Sequence, residues 1–215
     1  VDDIDAIGHR AVHGGEEFAS SVMVTDKVIN KMKELIPLAP LHNPANIMGM
    51  EICAELMPGK PNVAVFDTAF HQTMPDYAYM YALPKDMYTK HGIRKYGFHG
   101  TSHYFVSNEA KGMLDKKHNT RIIVCHLGNG SSVSAVLNGK CIDTSMGLTP
   151  VQGLMMGTRA GDVGAGAISY MMSQENLTID QALDVMNKKS GILGISGKSS
   201  DLRDVLQGMQ DGDDR

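Results

Sequence analysis

The 215-residue chain has no tryptophan, only three cysteines, no internal repeat and no apolar run near the roughly 18 residues of a membrane-spanning helix. Cys53, Cys125 and Cys141 are odd in number and lack CxxC spacing, so they read as reduced, mostly packed thiols and not as a disulfide framework. Charge of one sign is also missing: 20 Lys and Arg stand against 24 Asp and Glu, a formal net charge of −4. Basic residues are scattered apart from Lys116-Lys117 and Lys188-Lys189, which leaves no electrostatic footprint for nucleic acid or anionic lipid. The start, Val1-Asp2-Asp3, lacks the basic and apolar regions of a signal peptide. A soluble, cytoplasmic, globular protein is expected, with no nucleic-acid or membrane partner. A beginning at Val1 and an end at Arg215, directly after a helical pattern, are expected of an excised piece.

What is present suffices for a real core: 42% of the residues are hydrophobic, and sixteen methionines suggest an adaptable one. Helical and strand-like patterns alternate, which predicts a mixed α/β or α+β architecture. A helix follows Thr25, with Val28, Ile29, Met32, Leu35 and Ile36 on one face and Pro37 as its stop. A second starts at Asn43-Pro44, where Asn43 is expected to cap and Pro44 to occupy the first turn. Val63–Phe66 reads as a buried strand. A helix over about Thr101–Met113 is expected, with Thr101 as its cap. Strands Arg121–Leu127, Ser131–Leu137 and Lys140–Ser145 follow, joined by Gly128-Asn129-Gly130 and by the hairpin signal Asn138-Gly139. Helices are expected at Asp162–Met172, Thr178–Lys188 and Ser200–Met209, the middle one with a Thr178 cap and Gly191 beyond its end.

Three loops carry candidate chemistry. In Gly128-Asn129-Gly130-Ser131-Ser132, glycines can let consecutive N–H groups turn inward as an anion nest; the bland alternative is an ordinary hairpin turn. Gly157-Thr158-Arg159-Ala160-Gly161-Asp162 places an arginine before a predicted helix, where it either meets an oxyanion or sits in a surface turn. Gly8-His9-Arg10-Ala11-Val12-His13-Gly14-Gly15 suits an anionic ligand better than core packing. Asp67, at the end of a buried strand, either holds Mg²⁺ or caps a turn. The pairs His9/His13 and His99/His103 have i, i+4 spacing, but the second lacks the glutamate of a zinc hydrolase and the first is a poor helix. Gly197-Lys198-Ser199 fails as a phosphate-binding P-loop because Ile192 stands where a glycine is required.

Taken together, Gly8–Gly15, Pro40-Leu-His-Asn-Pro-Ala-Asn46, Val65-Phe-Asp-Thr-Ala-Phe-His-Gln72, Tyr96-Gly-Phe-His-Gly-Thr-Ser-His103, His126-Leu-Gly-Asn-Gly-Ser-Ser132 and Gly157–Asp162 resemble, in order and spacing, the acetate kinase (acetokinase) family of the acetate and sugar kinase/Hsp70/actin superfamily. The resemblance covers essentially the whole chain. It implies an actin-like ATPase (ribonuclease H-like) fold and an incomplete two-domain kinase, with 1–66 the later part of the first domain and 67–215 the first part of the second. It also implies reversible, Mg²⁺- and ATP-dependent phosphorylation of acetate to acetyl phosphate and ADP, by a protein that is a homodimer at full length.

By position in the family motifs, Arg10 and Arg159 would neutralise and orient acetate and the phosphoryl group, and His99 would stabilise its oxygens. Asp67 would bind Mg²⁺ and hold the reactants in line. His42 and Asn129 would help hold phosphates, the latter with His126, Leu127, Gly128 and Gly130 in the ATP/phosphate segment. Val12, Leu41, Phe98 and Pro150 would form the apolar pocket for the acetate methyl group. The family's N-terminal Asn/Ser/Lys phosphate segment and its C-terminal glycine-rich adenosine motif with a metal-binding Glu are not found, which implies an internal fragment, inactive or nearly so by itself. Gly164-Ala165 stands where Asp-Pro is usual in the family. A propionate or butyrate kinase on the same scaffold, and a non-catalytic remnant that binds a phosphorylated metabolite, are the alternatives.

Overall fold

Pairing and not side-chain alternation makes a strand of the glycine- and histidine-rich segment Ile7–Ala11 (β1), which sequence patterning suggests is a loop. In the computed structural model, which describes residues 3–114 and 118–213, β1 runs parallel to β3 (Asn62–Phe66), from Ile7 opposite Asn62 to Ala11 opposite Phe66. The two-residue β2 (Val22–Met23) lies antiparallel on the other side of β3, giving the order β1-β3-β2. Because β1 and β3 point the same way, their carboxyl ends coincide, and the residues that leave them emerge side by side. Lys116-Lys117 and the two chain ends lie outside the described residues.

Between β2 and β3 run α1 (Asp26–Glu34) and α2 (Asn43–Leu56). Thr25 caps α1 by accepting from the Val28 amide, and Ile29 and Met32 are its buried face. These meet Ile47 and Met50 of α2 and Ala64 and Phe66 of β3 in one apolar core, where the Phe18 and Phe66 rings stack 4.4 Å apart. The expected capping role of Asn43 is corrected: His42 occupies the cap position, and the buried Asn43 side chain turns to the backbone of His13 instead.

After β3 come a 3-10 turn at Ala69–Thr73, the short helices α3 (Asp76–Tyr79) and α4 (Lys85–His91), and α5 (Gly100–Met113). Thr101 is not the cap of α5, as its hydroxyl chemistry suggested. His99 holds that position, in left-handed backbone geometry with φ 59°. The second sheet, in the order β4-β5-β6, consists of β4 (Arg121–Leu127), β5 (Ser131–Leu137) and β6 (Lys140–Thr144). Asn138 and Gly139 both have positive φ, 54° and 83°, as a two-residue hairpin between antiparallel β5 and β6 requires.

The remaining helices are α6 (Ala165–Glu175), α7 (Ile179–Lys188), α8 (Gly191–Ser196) and α9 (Leu202–Gln210). Helix α6 starts at Ala165 and not Asp162, because the Asp162 side chain accepts from the Gly153 amide and holds a turn. Lys189 closes α7, so Gly191 opens α8 and is not the terminator of α7. The chain forms two compact units: Val1–Val124 with Ser134–Thr144, and Cys125–Val133 with Ser145–Arg215, over the described residues. Phe66 and Asp67 therefore share a unit.

Candidate functional site

In the first unit, the side-by-side strand ends place Arg10 and Asp67 together. Arg10 Nε donates to Asp67 Oδ1 at 2.9 Å and Nη2 to Oδ2 at 2.6 Å, a bidentate pair. The Asp67 side chain is 3% exposed while that of Arg10 is 66% exposed, so a buried anion is presented to the surface through a guanidinium. The hydrogen bonds from Arg10 to Asp67 raise the arginine pKa further, keeping it charged. The Asp67 amide donates to the Ala11 carbonyl and its carbonyl accepts from Gly100 at 2.9 Å. A β-carbon on Gly100 would overlap that carbonyl, so glycine is needed for α5 to begin there. His99, one residue earlier, is thereby anchored beside the strand end in a conformation uncommon for a non-glycine residue.

The expected acid-pocket residues of this unit differ in access. Leu41 is 78% exposed, Val12 and His42 are half-buried, and Phe98 is buried with its ring edge-on to His13 at 5.6 Å. Behind them lies a buried polar layer. His71 Nε2–H donates to the Phe98 carbonyl at 2.9 Å, and its Nδ1 lies 3.2 Å from Cys141 Sγ. Burial depresses the His71 pKa from 6.5 to about 4 and, aided by Asp143, pushes the Cys141 thiol up to about 12, so both are neutral structural groups.

In the second unit, the Gly157–Asp162 segment is held by α7 and α8 and not by the helix that follows it. Ala160 N–H donates to Met186, Thr158 Oγ1 to Asn187, and Leu193 N–H to Gly157, each to a carbonyl at 2.9–3.0 Å. Arg159 is half-buried and donates to the Pro150 carbonyl at 3.1 Å, which brings two expected site residues together; burial lowers its pKa. A second pair is Asn129 and Gly157: the Gly157 amide donates to the Asn129 carbonyl at 3.0 Å, and the Asn129 side chain fills the space where a β-carbon on residue 157 would stand. The Gly128–Gly130 turn is tighter than a nest. Gly128 N–H donates to the Gly130 carbonyl, Ser131 Oγ donates back to Gly128, and none of the three residues has positive φ. Leu127 is 72% exposed beside a half-buried His126.

For a divalent cation, Asp67 offers one carboxylate already engaged by Arg10. Among the described residues, no three His, Cys, Asp or Glu side chains gather into a metal cluster. One carboxylate fits Mg²⁺ as that ion is usually held beside phosphates, with most ligands from phosphate and water.

Parallel strands ending in an anion–guanidinium pair belong to an α/β protein, and its fold is the actin-like one. The crystal structure of Porphyromonas gingivalis acetate kinase matches with a TM-score of 0.93 and 54% identity, over 99% of this chain and 53% of that one. A propionate kinase from Francisella tularensis matches with a TM-score of 0.94 and 50% identity, over 99% of this chain and 55% of that one. The acetokinase family model covers residues 1–215, and the chain belongs to that family. The acetate kinase of Clostridium novyi is 56% identical over all of this chain, which covers 54% of that relative. The chain thus spans about half the length of the curated relatives it matches.

Sequence reasoning missed Asn46, Thr68 and Gln72, which hydrogen-bond the backbone of residues 10–15. The one available signal was the three-residue spacing of Asn43 and Asn46, which puts both on one face of α2.

Proposed function

We propose that the whole protein carrying this segment is a carboxylate kinase that transfers the terminal phosphoryl group of ATP, with Mg²⁺, reversibly to acetate. The observation that carries this reading is the bidentate Arg10–Asp67 pair at the joint end of two parallel strands. Acetate is ionised at neutral pH, so its attack needs no strong base. The obstacle is repulsion between an anionic nucleophile and an anionic phosphate, and fixed guanidinium groups reduce it. In this reading Arg10 and Arg159 orient acetate and the phosphoryl group, and His99 supports the phosphoryl oxygens. Asp67 holds Arg10 in place and supplies one ligand toward Mg²⁺, which when bound would neutralise phosphate charge. His42 and the segment His126, Leu127, Gly128, Asn129 and Gly130 bind phosphates, with the carboxamide of the exposed Asn129 as donor. Val12, Leu41, Phe98 and Pro150 surround the methyl group.

The assignment of 1–66 and 67–215 to two actin-like domains of the longer chain, a homodimeric assembly and a cytoplasmic location belong to the same proposal and rest on the family. No described helix is long and apolar enough to cross a membrane. A propionate kinase is the second reading, favoured by the match to a solved structure of that name. One added methylene changes discrimination by only about 1–3 kcal/mol, so the scaffold alone does not fix the acid.

The test is to supply the purified whole protein with MgATP and acetate, propionate or butyrate and to trap the acyl phosphate as hydroxamate. Acetate with the highest kcat/KM, and loss of turnover in Arg10→Ala and Arg159→Ala, is the expected result. Preference for a longer acid selects the second reading, and no acyl phosphate from any acid overturns both.

A further inference from the structure

The backbone that carries Arg10 and Val12 is held by side chains from other elements, two of them in the first turn of α2. Asn46 Nδ2 donates to the Arg10 carbonyl at 3.3 Å, and its Oδ1 accepts from the Val12 amide at 3.1 Å. Asn43 repeats the arrangement one step along: Oδ1 accepts from the His13 amide at 3.3 Å and Nδ2 donates to the His13 carbonyl at 3.1 Å. A carboxamide presents an acceptor and a donor side by side, so it can match the N–H and C=O of an extended chain. Helix α2 therefore stands in for a neighbouring strand where β1 runs out.

Further polar groups of the segment are matched as well. The Ala11 carbonyl accepts from Asp67, Gly14 N–H donates to Thr68 Oγ1, and the Gly15 carbonyl accepts from Gln72. This leaves little freedom for residues 10–15 to shift independently.

Helix α2 begins directly after Leu41 and His42. The two asparagines thus tie the segment bearing Arg10 and Val12 to the segment bearing Leu41 and His42, and both segments are assigned to the acid site in the kinase reading, on which this inference rests. We propose that Asn46, backed by Asn43, is a positioning residue that sets the span between Val12 and Leu41 and with it the size of acid accepted. Asn46 acts through the backbones of Arg10 and Val12 and not by touching the acid.

The experiment measures kcat and KM of the whole protein for acetate, propionate and MgATP, with and without Asn46→Ala. Loss of two hydrogen bonds of ordinary strength predicts a rise of about fivefold or more in acetate KM. The acetate-to-propionate ratio of kcat/KM is expected to fall at least about threefold, since a looser pocket discriminates less, while MgATP KM stays within about twofold. Turnover reduced equally for both acids, with KM and the ratio unchanged, overturns the proposal. If Asn46→Ala does not fold, Asn46→Asp decides by the same ratio, because it keeps the shape and the acceptor for Val12 but sets an oxygen against the Arg10 carbonyl. Amide exchange of the unsubstituted protein gives an independent readout: slow exchange at Val12 and His13 is expected, and fast exchange overturns the clamp. If the unsubstituted protein phosphorylates no acid, the kinase reading itself has failed, and amide exchange alone judges the clamp.

Discussion

Arg10 and Asp67, 57 residues apart in sequence, meet in a bidentate ion pair whose carboxylate is buried and whose guanidinium is largely exposed. The arrangement is asymmetric: the exposed arginine can turn part of its fork to a ligand anion, while the buried aspartate has little water to take the arginine's place. Parallel pairing of β1 with β3 creates this proximity.

Arg10→Ala should leave the Asp67 carboxylate uncompensated and lower stability by about 1–3 kcal/mol, measured by urea unfolding. Arg10→Lys keeps the charge without the planar fork and should fall between the two. Combining Arg10→Ala with Asp67→Asn removes the buried charge and should recover part of the loss. Equal unfolding midpoints for all four proteins would contradict this account.

The depressed pKa of His71 makes a pH prediction. Below pH 6.5 the unfolded chain protonates this residue, while the folded chain resists until about pH 4 because the site is dry. The unfolded state binds more protons in that window, so stability should fall as pH drops from 6.5 to 4, with a slope of at most about 1.4 kcal/mol per pH unit. His71→Gln should flatten this part of a plot of stability against pH. An unchanged slope would mean that another group sets it.

Two glycine substitutions should separate folding from function. Gly100→Ala drives a β-carbon into the Asp67 backbone carbonyl, which cannot yield, so a loss of about 3 kcal/mol or more is expected. Gly157→Ala meets chiefly the Asn129 side chain, which can rotate away, and stands 3.2 Å from the Ser200 carbonyl, which must give by a few tenths of an ångström. Its stability cost should stay below about 1.5 kcal/mol while nucleotide affinity, read by calorimetric titration, drops several-fold. Intact nucleotide binding in Gly157→Ala would remove Asn129 from the phosphate site.

Thr178 and Gln181 form a reciprocal capping box at the start of α7, at 3.3 Å and 2.8 Å. Thr178→Ala should cost about 1 kcal/mol. Helix α7 supports the Arg159 segment through the carbonyls of Met186 and Asn187. Thermal unfolding of the variant checks the first effect, and a parallel rise in acid KM would show that the support reaches the site.

Elements with local signals were legible in the sequence. Thr25 before a 3.6-residue apolar pattern marks α1, and Asn138-Gly139 between alternating runs marks the β5–β6 hairpin, because backbone sterics at those residues permit few alternatives. Where partners lie far apart in sequence, reading failed. β1 is a strand only because β3 pairs with it, and Asn43 caps nothing because His13, 30 residues away, competes for its carboxamide. Left-handed geometry at His99 had no local signal, since it is set by the tertiary surroundings of a segment where Gly100 packs against the Asp67 carbonyl. The six motifs named the segments from which the candidate site is built. They could not reveal that Asn46, Thr68 and Gln72 serve the backbone of one of them.

The course of residues 10–15 is fixed mostly by side chains from α2, Thr68 and Gln72, and of its own side chains His13 accepts from the Gly15 amide while Val12 has no polar group to contribute. Residue 12 is therefore free to drift through Val, Ala, Ile or Thr during evolution without unravelling the scaffold around it. In the kinase reading, a substitution at residue 12 would alter the pocket wall alone, whereas a change at Asn43 or Asn46 would act on the backbone of the whole segment.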